Sequence, residues 1–340
     1  MTGVQQYALK LSMYLKDQLG AEACFVSPHG ILHQQLAAQL GVQVIGNTKG
    51  YFWEQVELPF WLKKEGSPLL INFGNVAPQY YSNQVVTIHD LSTMEHPEWF
   101  SHKFARIYRM MIPQVAQNAR KVIAVSHFTK RKVHELLKVD LEKIEVIYNS
   151  LETINPPNLN QVPEPYFTSV GSFSGRKNFT TLIKAFIEAN IPGFTLKIRG
   201  DSENIFKEEA ELPELTRHQH HIQFVEPLNY EAYLDLVKNA TALINTSVYE
   251  GFGMPNLEAL SMGVPVICSD IEVFREVMGD CATYAPPFDH FRLAQILTEA
   301  AHQPITLARK KLLTDRAEMF KTETEGKKLL DLVAQCLSPL

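Results

Sequence analysis

Residues 248–270 read VYEGFGMPNLEALSMGVPVICSD, and the order of residue types in this stretch decides the fold of the half-chain around it. The apolar run Ala242 to Ile244 just upstream has the length and character of a buried strand. Gly251, Phe252 and Gly253 form a tight turn, and Pro255 suits the first position of a helix. Leu257, Ala259 and Leu260 give that helix an apolar face, Gly263 is placed to end it in a left-handed cap, and Val264 to Cys268 read as the next buried strand. A strand, turn, helix and strand in this order are the repeating unit of a parallel α/β sheet.

The chemistry follows from the turn. The amides of Gly253, Met254 and Asn256 lie at the positive end of the predicted helix, where a diphosphate is favoured. Glu250 stands on the lip of the turn and Glu258 in the expected first helical turn. Phosphate repels carboxylates, so these two are expected to address neutral hydroxyls, for which sugar and ribose are suitable. Taken singly, Glu258 could merely complement the helix dipole and Glu250 could be a solvated loop residue.

The whole string is more specific than either glutamate. Glu250 and Glu258 with seven residues between them, Gly-Phe-Gly after the first and Leu-Glu-Ala-Leu around the second, resemble the donor-site signature of retaining glycosyltransferases of family four. That family carries the GT-B fold, two doubly wound Rossmann-like α/β domains facing across a cleft. The resemblance implies that Glu250 lies by the donor sugar, that Glu258 holds the nucleotide ribose, and that Gly251, Phe252, Gly253 and Met254 border the donor.

The bulk properties fit two ordinary domains. At 340 residues the chain can bury two cores, and 45% hydrophobic with 20% charged residues is the composition of a soluble globular protein. A net charge of -5 argues against a general nucleic-acid binder. Cys24, Cys268, Cys281 and Cys336 form no Cys-x-x-Cys pair, so neither a zinc site nor a disulfide framework is expected and a reducing cytoplasm is the expected location. No apolar run is long enough to span a bilayer, so any membrane contact is expected to be peripheral.

The N-terminal half, residues 1–150, carries its own α/β rhythm. Thr2 to Leu19 reads as a glycine turn followed by an amphipathic helix with Val4, Tyr7, Ala8, Leu11 and Leu15 on one face. It resembles the first glycine loop and helix of the family, which makes Gly3 a donor-side candidate. The apolar strand that precedes this loop in the family has only Met1 and Thr2 here, so the first strand is expected to be missing. Ala23 to Val26, Val42 to Ile45, Leu69 to Asn72 and Val85 to His89 are predicted strands. The aromatic segment Tyr51 to Leu62 is expected to be a core-packing helix broken before Pro59, with a membrane-dipping element as the rival reading.

Val85 to Ile88 delivers His89 and Asp90 at the carboxyl end of a strand, where open α/β sheets place ligands. A histidine there can donate a hydrogen bond to a sugar hydroxyl or to charge developing in a transition state, or can simply cap the loop. The run HDLSTMEHPEWF resembles the family's first-domain motif, which implies that His89 faces the donor sugar and places Asp90 on the acceptor side. Ser126, at the end of the predicted strand Val122 to Ser126, resembles a further acceptor-side position. Between His102 and Glu135 the cations Lys103, Arg106, Arg109, Arg120, Lys121, Lys130, Arg131 and Lys132 face the single acid Glu135. This basic stretch, residues 103–132, suits either contact with anionic lipid headgroups or an ordinary solvated face.

The Pro- and Asn-rich residues 151–165 read as a linker and residues 166–320 as a second domain, while residues 308–335 show one amphipathic helical pattern. The resemblance implies that the second domain binds the nucleotide sugar and that residues 321–340 are a helix able to cross back to the first. SVGSFSGRKNFTTLIKAF resembles the family's diphosphate-binding loop. Lys177 matches the family lysine, Ser172 departs from a second basic residue of many members, and Arg176 is placed to substitute. Val225 ends a predicted strand where the family's backbone meets the nucleobase, and Glu226 replaces a usual glycine there. Arg199 is a weaker cationic candidate that could instead pair with Asp201.

The resemblance implies an enzyme that moves a hexose, mannose favoured and GDP-mannose the favoured donor, to a hydroxyl of a glycan or lipid-linked acceptor, with retention. No Asp-x-Asp pair is present, so no metal and no other cofactor is expected. A non-catalytic nucleotide-sugar-binding paralogue and a GT-B epimerase or hydrolase are the rival readings.

Overall fold

The computed structural model describes residues 2–152, 164–171, 175–200, 212–216, 219–226 and 228–338. Ser172, Asp201 and most of the Pro- and Asn-rich linker, residues 153–163, lie outside the described residues. The chain forms two compact units, one of Met1–Ser150 with Lys321–Leu340 and the other of Leu151–Phe320.

In the first unit a four-stranded sheet runs β3 (Leu70–Asn72), β4 (Gln84–Ile88), β5 (Lys121–Ala124) and β6 (Ile144–Val146), and a separate pair joins β1 (Val26–Ser27) to β2 (Gln43–Val44). All these pairings are parallel. β4 is buried along its whole length, which is why Val85-Val86-Thr87-Ile88 reads as a near-continuous apolar run rather than an alternating one. Val86, Ile88, Val122 and Ala124 pack with Ile112, Val115 and Val133 of the flanking helices to form the core.

The first helix, Gly3–Leu19, begins with a capping box: the Thr2 hydroxyl accepts from the Gln5 amide, and the Gln5 side chain accepts from the Thr2 amide. Gly3 is therefore the first helical residue and not part of a preceding loop, which corrects the expectation of a glycine turn. Tyr7, Leu11 and Leu15 are buried as predicted, whereas Val4 in the first turn is 42% exposed. This helix packs against Thr322–Leu337 so closely that a Cβ added at Gly326 would lie 2.5 Å from the Tyr14 ring.

The segment at 51–64 also departs from expectation. A wide-turned stretch, Trp53–Glu57, leads into the α-helix Leu58–Lys64 without a break, so Pro59 is carried inside a continuous helical run, directly after the widened turn, and does not break it. Leu58 and Leu62 face the core, but Phe52, Val56 and Phe60 are 58%, 49% and 62% exposed. Four residues apart, these three form one outward stripe, so only half of the aromatic segment is core.

Among the described residues the second unit holds six parallel strands: β7 (Tyr166–Val170), β8 (Thr195–Arg199), β9 (Ile222–Val225), β10 (Ala242–Asn245), β11 (Val266–Ser269) and β12 (Ala282–Ala285). Their order across the sheet is β12-β11-β10-β7-β8-β9. Numbered from its own first strand this is 3-2-1-4-5-6 read from the other edge, the dinucleotide-binding arrangement, with its switch point between β7 and β10. Helices such as Phe179–Ala189 and His290–His302 cover the sheet through Leu182, Ile183, Phe186, Leu293 and Leu297.

The helix after β10 is Met254–Ser261, with Pro255 at its second position rather than its first. It ends as predicted: Gly263 has φ of 70°, its amide donates to Leu260 O at 2.9 Å and that of Val264 to Ala259 O at 2.9 Å. Where the pattern over residues 308–335 read as one helical tail, the chain forms two helices, Leu307–Ala317 and Thr322–Leu337, separated by a tight turn at Glu318–Phe320 that buries Phe320 against Phe252. The first stays in the second unit and the second belongs to the first unit.

Candidate active site

In a doubly wound sheet the loops leaving the carboxyl ends of the strands on either side of the switch point form the ligand crevice. Here those are the loops after β7 and β10. The first ends in a short turn, Gly175–Lys177, and the two loops are joined through the carbonyls of that turn: the Val248 amide donates to Arg176 O at 2.8 Å, and the Thr246 hydroxyl donates to Lys177 O at 2.9 Å. Asn178 takes the left-handed conformation at the turn's end, φ 53°, which aims the next helix away. The stem of Lys177 lies across Gly171, where an added Cβ would meet it at 3.0 Å.

These connections bring Arg176 and Lys177 onto Glu250. The Lys177 ammonium donates to Glu250 Oε1, Arg176 Nη1 reaches Oε2 at 3.2 Å, and the Ser247 hydroxyl donates to Oε1 at 3.1 Å. Burial pushes the Glu250 carboxyl up, but the Lys177 and Arg176 charges with the hydrogen bonds from Lys177 and Ser247 outweigh it and bring the group down to about 2. Glu250 is thus ionised at neutral pH and held by cations, not the solvated loop residue of the bland alternative.

Gly253 is required by its geometry. Its φ is 97°, and a Cβ would sit 2.7 Å from the Phe274 ring. Met254 opens the helix beyond it, and Gly251 and Phe252 are buried in the turn. The Asn256 amide donates to Gly253 O at 3.0 Å, so of the three amides predicted to be open to an anion this one is already engaged.

Glu258 is the fifth residue of the helix, one residue further along than predicted and just beyond the first-turn position where it would mainly offset the dipole. Its carboxylate is 5% exposed and accepts from the Tyr230 hydroxyl at 3.0 Å and from the Tyr233 hydroxyl. Val225 closes β9, its carbonyl accepting from the Gly200 amide at 3.0 Å. Arg199 lies over the Tyr233 ring at 5.4 Å and donates to Leu228 O at 3.2 Å.

The first unit places the other candidates. His89 is buried at the end of β4; its amide donates to Asn75 Oδ1 at 2.6 Å, its Nε2 is 2.7 Å from Phe73 O, and Tyr7 meets its ring edge-on. Burial pushes the imidazole pKa down, with Phe73 O and Asp90 opposing, so the ring favours its neutral form. A carbonyl only accepts, so the Nε2 proton is committed to Phe73 and Nδ1 is left as an acceptor. This corrects the expectation that His89 donates to a sugar hydroxyl: in this geometry it can receive one. Asp90 accepts from the Ser92 amide and hydroxyl at 3.0 and 2.5 Å, and Ser126 caps the helix His127–Leu137 by accepting from the Thr129 amide at 3.0 Å. Gly3 stands exposed at the start of the first helix.

Ser247, Asn245, Tyr230 and Tyr233 were not legible as site residues. Asn245 Oδ1 receives the Ser247 hydroxyl at 2.7 Å and its amide donates to Asn256 Oδ1 at 2.8 Å, a buried link from β10 to the helix start. Among the described residues, no three His, Cys, Asp or Glu side chains are grouped so as to hold a metal ion.

The family described as Glycosyl transferases group 1 matches residues 151–315, and Glycosyltransferase Family 4 matches residues 1–153. The chain is 28% identical over 310 residues to the O-antigen chain mannosyltransferase RfbU of Salmonella typhimurium, covering 85% of this chain and 84% of that one. It is 25% identical over 229 residues to O-antigen chain mannosyltransferase B of Escherichia coli, covering 62% and 59%. The crystal structure of Anabaena HepE in complex with UDP and glucose superposes with a TM-score of 0.74 at 16% identity, covering 96% of each chain. With consecutive family matches spanning residues 1–315 and the parallel α/β architecture of both units, the chain belongs to the group 1 glycosyltransferases of GT-B fold and is a glycosyltransferase enzyme.

Proposed function

We propose that the enzyme transfers a hexose, mannose in the first instance, from a nucleoside diphosphate sugar to a hydroxyl of a glycan or lipid-linked acceptor during cell-surface polysaccharide synthesis, with retention at the anomeric carbon. The observation that carries this reading is the buried cluster of Arg176, Lys177 and Glu250 beside the start of the helix Met254–Ser261, at the switch point of the second sheet. Two cations and a helix N-terminus suit a departing diphosphate, and a carboxylate within the same cluster suits the hydroxyls of the sugar it leaves. The names of the O-antigen mannosyltransferase relatives support mannose as the sugar, and the UDP-bound neighbour supports a nucleoside diphosphate site; GDP-mannose is the donor we propose.

In the reaction the bond from the anomeric carbon to the diphosphate oxygen breaks, the acceptor oxygen bonds to the same face of that carbon, and the acceptor's proton passes to the departing phosphate. Arg176 and Lys177 offset the charge that develops on the leaving group, an electrostatic effect worth on the order of 10²- to 10³-fold per donor. Glu258 holds the ribose, and Glu250 positions the sugar without forming a covalent bond to it. This chemistry asks for no metal or other cofactor.

Peripheral contact with the inner face of the cell membrane is part of the reading. The helix His102–Asn118 exposes Lys103, Arg106, Arg109 and Met110, and Phe100, Phe104 and Tyr108 stack along it. A cavity of about 480 Å³ lined by Pro97, Glu98, His102, Ala105, Arg106 and Arg109 opens on the same helix. Among the described residues no helix is long and apolar enough to cross a membrane.

The test is a panel of GDP, UDP, dTDP and ADP in thermal unfolding with chelator present, followed by transfer from the matching nucleotide sugar to lipid-linked glycan primers and assignment of the product anomer. Binding of GDP and a retained anomer support the proposal. Binding with no transfer to any primer would favour a non-catalytic nucleotide-sugar protein, and an inverted product would overturn the stereochemistry.

A further inference from the structure

We infer that Tyr230 and Tyr233 are positioning residues that set the carboxylate of Glu258 for the ribose of the donor, and so control how strongly the enzyme distinguishes ribose hydroxyls. The inference rests on the proposed ribose role of Glu258 and adds the residues that would make that role work. Both tyrosines belong to the helix Tyr230–Lys238, which Asn229 caps by accepting from the Ala232 amide at 2.9 Å. Spaced three residues apart they share one face, and their rings lie 5.9 Å apart. From that face they bracket one carboxylate: Tyr230 donates to Oε1 at 3.0 Å and Tyr233 to Oε2.

The bracket has a fixed and an accessible arm. Tyr233 is 7% exposed and has the Arg199 guanidinium over its ring, so it cannot turn away without disturbing the packing. Tyr230 is 39% exposed and sits at the start of its helix, next to the loop that leaves β9. One hydroxyl on each oxygen fixes the plane of the carboxylate, and that plane decides whether it can meet both hydroxyls of a vicinal diol. Without the tyrosines Glu258 keeps its charge and place in the helix but loses the orientation that lets both ribose hydroxyls bond at once. The bonds to a charged acceptor are strong enough for this to matter.

Binding of GDP and UDP, and of their 2′,3′-dideoxy forms, is measured by calorimetry on the full chain and on Tyr233→Phe and Tyr230→Phe. The wild type is expected to prefer the ribonucleotide. Tyr233→Phe is expected to weaken that ligand about tenfold while changing the dideoxy form far less. Tyr230→Phe, at an exposed position that should tolerate the change, is expected to move the ratio in the same direction and keeps the test open should the buried variant fail to fold. Equal weakening of ribo and dideoxy ligands, with the preference intact, would show that the tyrosines serve only packing and would overturn the inference while leaving Glu258 in its role. A wild type that does not prefer ribose would remove the Glu258 reading itself, and this inference with it.

Discussion

Replacing Glu250 by glutamine keeps the side chain's shape and removes its charge from between Lys177 and Arg176. In the folded protein the carboxyl stands at about 2 against an ordinary 4.5, and the side chain is only 11% exposed. That difference corresponds to about 3 kcal/mol of stabilisation of the ionised form. Glutamine can still accept from Lys177 and Ser247, so the loss has this figure as its upper end. For a unit of this size it amounts to roughly 6–12 °C in Tm at pH 7.

The pH dependence has a definite sign. A carboxyl lowered by folding contributes stability that is complete above about pH 4.5 and is lost as pH falls to about 2, so the gap between wild type and Glu250→Gln should be constant near neutrality and close across that window. A bound diphosphate reverses the comparison, because it returns negative charge to two cations that the variant has left facing a neutral group. Thermal unfolding with and without GDP or UDP reads both effects. The variant should melt lower alone, gain more from the nucleotide than the wild type does, and transfer no sugar. An unchanged melting point at neutral pH, or a smaller gain from nucleotide, would refute the reasoning that these cations are shared between Glu250 and a phosphate.

Other expectations follow from single positions. Gly253→Ala combines a φ of 97° with a Cβ 2.7 Å from Phe274 and should cost about 1–3 kcal/mol, read as a fall in denaturant midpoint. Lys177→Met removes a buried cation and leaves Glu250 partly unpaired, so it should lower stability at pH 7 and weaken nucleoside diphosphate binding together, measurable by calorimetry. His89 has a lowered pKa in the fold, so below about 6.5 the unfolded chain takes up a proton that the folded chain resists; stability should fall with pH there, and His89→Asn should flatten the slope. Gly326→Ala should destabilise the first unit by about 1–3 kcal/mol, and pairing it with Tyr14→Leu should recover part of the loss.

What could be read from the chain tracks how local each interaction is. The strand, turn and helix at 242–263, including the left-handed cap at Gly263, depend on neighbours a few residues away, and all were legible. The pairing of Glu250 with Arg176 spans 74 positions and depends on sheet order. Residue types and resemblance placed both groups in one site but could not show that they would bond to each other. Tyr230 and Tyr233 carry no mark in the sequence, since two tyrosines on a helix face read as core until Glu258 is seen beneath them. The Tyr51 to Leu62 segment misled because aromatic content alone does not say which side of a helix is covered, and Phe52, Val56 and Phe60 fall on the uncovered one. His89 was found at its strand end, but its proton's destination depends on Phe73, 16 residues away on a neighbouring loop.

The helix Thr322–Leu337 has a consequence for the order in which the protein can be made. It completes the first unit: buried Glu325 accepts the Tyr148 amide at 2.8 Å, and Gly326 lets the helix nestle on Tyr14. The chain departs into the second unit at Leu151 and leaves it at Phe320, where the Leu151 amide donates to Phe320 O at 2.8 Å. During synthesis the second unit therefore has all its own strands before the first has its last helix. The unit that is started first is the unit finished last, and until that helix emerges the side of Gly3–Leu19 around Tyr14, on which it will lie, stays open to water and to chaperones.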